Sequence, residues 1–271
     1  MANWAFGAGS TGGSSNNGRV SFGGGINGVS QGIYEESSTQ KAPLGSSLEF
    51  DDGRKFRYTK GGAAIAIAAV VANDTSVGLF AEADNFTTVA TAGDREFTMT
   101  GGGSEFNTTA EFYAGSYILF TGGTGEGQYY RIKDHTTASS DKITFSLYDK
   151  LVTAPDGTTD IIITGGPYQQ VLTADGTSPS TATDSHAVGV APIAVSSGYY
   201  FWAQTKGICS VKADLGTTSQ PHYGMELIVS STHDGFVEAK LDAHDGYQVV
   251  GHFTSPIGDD NQYIPMLASL E

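Results

Sequence analysis

Cysteine is almost absent from this 271-residue chain: the single Cys209 cannot form an intrachain disulfide, so the fold does not depend on oxidation. Set in the apolar stretch Gly207 to Val211, it reads as a buried structural thiol rather than a reactive one. Basic residues are few. Fourteen Lys and Arg against 29 Asp and Glu leave a formal charge of −15, which repels phosphate backbones, so nucleic-acid binding is not expected. Long hydrophobic runs are missing too. The longest, Ala63 to Ala72, is too short to span a bilayer, and the first residues lack the basic patch and apolar run of a cleaved leader. Neither membrane anchoring nor leader-directed secretion is expected.

What is present is enough for a real core, since a chain of this length can bury roughly three quarters of its unfolded surface. The 37 Gly and 8 Pro make about a sixth of the residues, which implies many turns without low complexity. No internal repeat stands out, which weighs against a solenoid or propeller.

Residues 1–45 differ from the rest. Gly, Ser, Asn and Thr dominate, with Trp4, Phe6, Val20, Phe22, Ile26, Val29, Ile33 and Tyr34 scattered singly. So thin a supply of hydrophobes cannot offset roughly 1–2 kcal/mol per residue of backbone ordering, so the segment reads as an extended, flexible N-terminal arm that orders along a partner.

A compact region begins near residue 46. Leu48 to Phe50, the turn Asp51-Asp52-Gly53 and the alternating Lys55 to Tyr58 predict a hairpin. Gly61 to Ala72 lacks polar alternation and suits a short buried helix or a buried strand, the helix being favoured. Strands are expected at Tyr117–Phe120, Gln128–Ile132, Ile143–Tyr148 and Ile161–Ile163. There Ile143, Phe145 and Leu147 alternate with Thr144 and Ser146 at a period of two, which one helical face cannot satisfy. Further strands are expected at Tyr199–Thr205, Ile208–Ala213, Met225–Val229, Phe236–Leu241 and Tyr247–His252. The fold class is all-β with one short helix, a sandwich or barrel-like domain. Residues 46–74 and 166–271 form its main β-domain, and 75–165 reads as a second β-domain, insertion into the first being one arrangement open to it.

Gly122-Gly123-Thr124-Gly125-Glu126-Gly127 fails as a phosphate loop: no Lys-Ser or Lys-Thr follows it, and Gln128-Tyr129-Tyr130-Arg131-Ile132 reads as strand, so a hairpin connection is expected. His186, His222, His233, His244 and His252 fall late, with His233-Asp234 and His244-Asp245 as conceivable metal or catalytic pairs. No helical i, i+4 spacing accompanies them, and solvated turn residues are the expectation. No Gly-x-Ser-x-Gly elbow occurs, and Asp175 to Asp184 lacks EF-hand spacing, leaving only an irregular Ca²⁺ site as an alternative. Tyr199-Tyr200-Phe201-Trp202 is a core strand with one aromatic edge or, alternatively, a sugar-stacking platform. No catalytic, cofactor-binding or metal residue is assigned, and no cofactor is expected.

Three stretches carry a resemblance: Asp52-Gly53-Arg54-Lys55-Phe56-Arg57-Tyr58 with Lys60-Gly61-Gly62-Ala63-Ala64; Gly123-Thr124-Gly125-Glu126-Gly127-Gln128-Tyr129-Tyr130-Arg131-Ile132-Lys133; and Gly189-Val190-Ala191-Pro192 with Gly198-Tyr199-Tyr200-Phe201-Trp202-Ala203-Gln204-Thr205-Lys206-Gly207. In that order they resemble head decoration or cement proteins of tailed bacteriophages, over roughly residues 45–270; the arm lies outside the pattern. The resemblance implies a non-enzymatic virion protein on the outer capsid surface, present in the host cytoplasm before assembly. Its implied partners are the major capsid protein and itself, as a homo-dimer or homo-trimer. The acidic charge fits an outer position, away from packaged genome. The alternatives are a tail-fibre or receptor-binding adhesin, and a virion-associated hydrolase with paired carboxylates in a groove.

Overall fold

The chain is described here from a computed structural model covering residues 18–21, 31–73, 81–83, 87–101, 106–107, 109, 112–136, 142–175, 186–215, 222–241, 244, 246–255 and 260–271. It is 47% strand and 1% helix, in two antiparallel sheets. In chain order the strands are β1 (Gly18–Ser21), β2 (Ser47–Phe50), β3 (Lys55–Lys60), β4 (Val70–Asn73), β5 (Ala81–Ala83), β6 (Thr87–Val89), β7 (Glu96–Thr100), β8 (Tyr117–Gly122) and β9 (Tyr129–His135). They continue as β10 (Lys142–Leu147), β11 (Asp160–Thr164), β12 (Val171–Thr173), β13 (Ala187–Val190), β14 (Tyr200–Lys212), β15 (Glu226–Val229), β16 (Val237–Ala239), β17 (Val249–Phe253) and β18 (Tyr263–Ser269).

The first sheet runs β1-β2-β3-β14-β18-β17-β15-β16, with β13, β4 and β12 branching from β14. It curls until Ala213, just past β14, bridges Val237 of β16, so the β14, β18, β17, β15, β16 series closes on itself. Val211, Leu227, Val250, Phe253, Ile264 and Met266 fill that interior. The second sheet runs β5-β11-β8-β9-β10-β7-β6 and is drawn wholly from residues 81–164. The strands flanking it, β4 and β12, pair with each other, Val171 opposite Asn73, so the second sheet is spliced into the first at one pair of neighbouring strands.

Alternation explains the second core. Ile143, Phe145 and Leu147 are buried, as are Ile118 and Phe120, Tyr130 and Ile132, and Ile161 and Ile163. Phe97 of β7 and Phe120 of β8 lie three strand spacings apart along the sheet, roughly 14 Å if it were flat. Their ring centroids are 6.2 Å apart, so this sheet also curls around its apolar face.

Three expectations need correction. Gly61–Ala72 is not a helix: Ile65 bridges Val195, Ala68 has φ 60, and β4 pairs with β12 on one side and β13 on the other. A strand covered on both faces reads as an unbroken apolar run, and that pattern mimics a buried helix. The segments Tyr199–Thr205 and Ile208–Ala213 form one strand, β14, because Gly207 does not end it. With φ 89, Gly207 carries β14 past Arg54, whose Cα would lie 3.0 Å from a Cβ at that position.

The third correction concerns residues 31–45, assigned to the arm by composition. Ile33, Ala42 and Leu44 pack with Leu48, Phe56, Tyr58 and Trp202. The Tyr58 hydroxyl donates to Gln31 Oε1 at 2.7 Å and accepts from the Lys41 N–H at 3.0 Å, while Trp202 Nε1 donates to the Gln31 carbonyl at 3.1 Å. Long-range hydrogen bonds supply what scattered hydrophobes lack. β1 also pairs with β2, Gly18 opposite Phe50. Trp4, Phe6, Phe22, Ile26 and Val29 lie outside the described residues.

Candidate docking surface

The glycine cluster is a hairpin connection between β8 and β9: the Phe120 N–H donates to the Gln128 carbonyl and the Phe120 carbonyl accepts from the Gly127 N–H, and a Cβ on Gly123 (φ 70) would lie 1.7 Å from the Thr158 carbonyl oxygen. Tyr199–Trp202 is core rather than platform. Trp202 and Phe201 are fully buried, with Tyr58 packed 4.9 Å from Trp202. Burial pushes the Cys209 thiol up to about 12, and its S–H points at the Met266 carbonyl 3.7 Å away.

His233 does meet a carboxylate and hydroxyls. Its Nδ1 lies 2.9 Å from Asp214 Oδ2, and Ser230 and Thr232 both donate to that same oxygen at 2.5 Å. Ser230 Oγ is thus turned toward Asp214, while it also accepts the Thr232 and His233 N–H groups. The Thr232 Oγ1 also lies 3.0 Å from His233 Nδ1, so Asp214, Ser230, Thr232 and His233 form one hydroxyl-rich, hydrogen-bonded turn. The Asp214 carboxyl is held below its ordinary range, because those three donors outweigh its desolvation. His244 packs against Tyr247 with its ring tilted by 37°, His186 contacts Gln248, and His252 stands opposite Glu226 across β17 and β15. Among the described residues no three metal-binding side chains converge, and no helix is long and apolar enough to cross a membrane. Asp245 and residues 176–185, which include most of the Asp175–Asp184 stretch, lie outside the described residues.

An apolar concavity of about 690 Å³ opens where the β2–β3 hairpin ends and β14 runs on without β3. Tyr34, Ile67, Pro192, Ile208, Tyr263 and Pro265 line it, with Arg54 at its rim. Beyond Gly207, β14 has lost β3 as a partner, and the Gln204 amide donates instead to the Lys206 and Ile208 carbonyls at 3.0 and 2.9 Å. The edge is therefore sealed by a side chain while its outer face stays open. On that face Ile208 stands opposite Leu267, Ser210 opposite Pro265 and Lys212 opposite Tyr263. Tyr34 is 67% exposed, Tyr263 57%, Ile208 54%, Ile67 49% and Leu267 42%. So many large apolar side chains in one exposed patch mark a contact surface. Its charged neighbours on β14, Lys206 and Lys212, are cations in a strongly acidic chain.

None of these groove residues was singled out from the sequence as a binding residue. They come from five separate chain segments and share no spacing. The nearest signal was local: Tyr263, Pro265 and Leu267 are apolar at the outward positions of a strand whose inward positions, Ile264, Met266 and Ala268, are apolar as well. No known family model matches the chain, and neither does any curated protein or solved structure.

Proposed function

We propose that this is a non-enzymatic virion structural protein, a cement or decoration protein that binds the outside of a tailed-phage capsid and stabilises it. The observation that carries the reading is the exposed apolar face of β14 and β18 with its groove, which holds Arg54 and lies on the strand that carries Lys206 and Lys212, in a chain of formal charge −15. Such a face suits a broad protein partner, with a hydrophobic centre and a polar rim. The resemblance in residues 45–270 names that partner as the major capsid protein. Stabilisation then follows by mass action, because a protein that binds only the assembled shell shifts the equilibrium toward it.

A second reading, a tail-fibre or receptor-binding adhesin, is favoured by the exposed Tyr129 and Tyr148 on the second sheet. The two readings separate by location and copy number in purified particles. A cement protein is expected on the head at a fixed ratio to the major shell subunit. A few copies confined to the tail would favour the adhesin.

A further inference from the structure

Where the two sheets meet, a cleft of about 210 Å³ is walled by Arg57 and Tyr168 from one side and by Tyr117 and Arg131 from the other. We propose that this cleft, with the tyrosine shelf that continues from it over the second sheet, binds an acidic oligosaccharide. Carboxylates of the sugar would sit on Arg57 and Arg131, and its pyranose faces on Tyr117 and Tyr129.

The shelf follows from register. Tyr117 of β8 stands opposite Arg131 of β9, and Leu119 opposite Tyr129, so all four side chains share the outer face. The Tyr117 and Tyr129 rings are 6.4 Å apart, inclined at 50°, and Tyr129 is 68% exposed. Tyr129 therefore adds little to the core, and its ring face is open to a ligand. The electron-rich face of a tyrosine ring suits the polarised C–H groups on one side of a sugar ring.

The cleft also shows what it prefers to hold. Arg57 pairs with the Glu271 carboxylate, and the Tyr168 hydroxyl donates to the same Glu271 oxygen at 3.3 Å. A guanidinium and a phenol thus already seat one carboxylate. Arg131 lies 4.9 Å over the Tyr148 ring and donates through Nη2 to the Leu44 carbonyl at 2.5 Å, while its buried Nε has no hydrogen-bond partner among the described residues. Guanidinium groups recognise carboxylates through N–H donors, and because the Arg131 Nε is closed to solvent, a ligand carboxylate would meet this one at its terminal nitrogens. Two of the chain's five arginines converge here although its net charge is −15, so displacing Glu271 from Arg57 would leave a cationic spot suited to an anion. Glu271 acts as an internal competitor, displaced when the ligand's carboxylate takes its place on Arg57.

The test is calorimetric titration of the isolated protein with oligogalacturonate and with its carboxyl-reduced form. Wild type is expected to bind the acid form and not the reduced one. Tyr129→Ala should bind at least tenfold more weakly, Glu271→Gln several-fold more tightly, and Tyr223→Ala, at a distant exposed tyrosine, as wild type does. Unchanged melting temperatures would establish that the variants fold. Absence of binding by both wild type and Glu271→Gln, equal binding of the reduced sugar, or full affinity in Tyr129→Ala would each overturn the proposal. No shell is needed, so the result is independent of capsid attachment.

Discussion

Ile208 and Leu267 face each other across β14 and β18 as a directly paired apolar couple, both on the open side of the sheet. Cross-strand pairs of this kind normally contribute by packing under something. Among the described residues nothing covers them. Replacing Ile208 with Asp should therefore alter unfolding free energy by no more than about 0.5 kcal/mol, as for an ordinary surface site. On the cement reading it should weaken attachment to undecorated shells at least tenfold, because a charge would be buried at the centre of the contact. Sedimentation of shells with wild-type and variant protein measures the second effect, and urea unfolding the first.

Gly207→Ala is the counterpart on the stability side. The positive φ and the Arg54 backbone at 3.0 Å both act against a Cβ, so a loss of about 1–3 kcal/mol is expected in urea unfolding. The groove should be disturbed as well, since Gly207 sets where β14 leaves β3. A variant as stable as wild type would mean that the bulge relaxes freely.

Tyr58→Phe tests how firmly residues 31–45 are held. The substitution leaves Gln31 Oε1 and the Lys41 N–H without the hydroxyl that serves both, at a cost of about 1–3 kcal/mol. Limited proteolysis should then cut within 31–44 more readily than in wild type. Equal protection would place the restraint in the packing of Ile33, Ala42 and Leu44 alone.

Alkaline pH gives a further check. Burial raises the Cys209 thiol from 9.0 to about 12, and the Tyr58 and Tyr168 phenols from 10.0 to about 12. Each group is neutral in the fold and ionises more easily once unfolded. Stability is thus fully present below pH about 9 and declines as pH rises toward 12, first through Cys209, at no more than about 1.4 kcal/mol per pH unit. Comparing urea midpoints at pH about 8 and about 10, Cys209→Ser should flatten the decline. An identical slope in the variant would mean that the thiol is accessible to solvent in the native state.

Much of the fold could be read from local pattern, and the exceptions share a cause. The hairpin around Asp51–Gly53 and the strand containing Ile143, Phe145 and Leu147 are written in turn chemistry and period-two alternation, both of which are local. Gly61–Ala72 carries no local signal of its state because its partners, β12 and β13, lie about a hundred residues away along its two edges, while Val70 and Ala72 enter one core and Val71 another. Residues 31–45 looked unable to order because composition counts hydrophobes and not hydrogen bonds such as those of Gln31 to Tyr58 and Tyr200. The groove was invisible for a related reason. Tyr34, Ile67, Ile208 and Tyr263 become neighbours only through tertiary contacts, and an exposed isoleucine looks the same as a buried one in sequence.

The most direct measurement of the cement reading mixes purified protein with undecorated tailed-phage shells, then records bound copies per shell subunit and the melting temperature of the shell. The cement reading predicts saturable binding at a fixed ratio, a raised shell melting temperature, and loss of both effects with Ile208→Asp. Absence of binding, or binding that leaves the shell melting temperature unchanged, would contradict it.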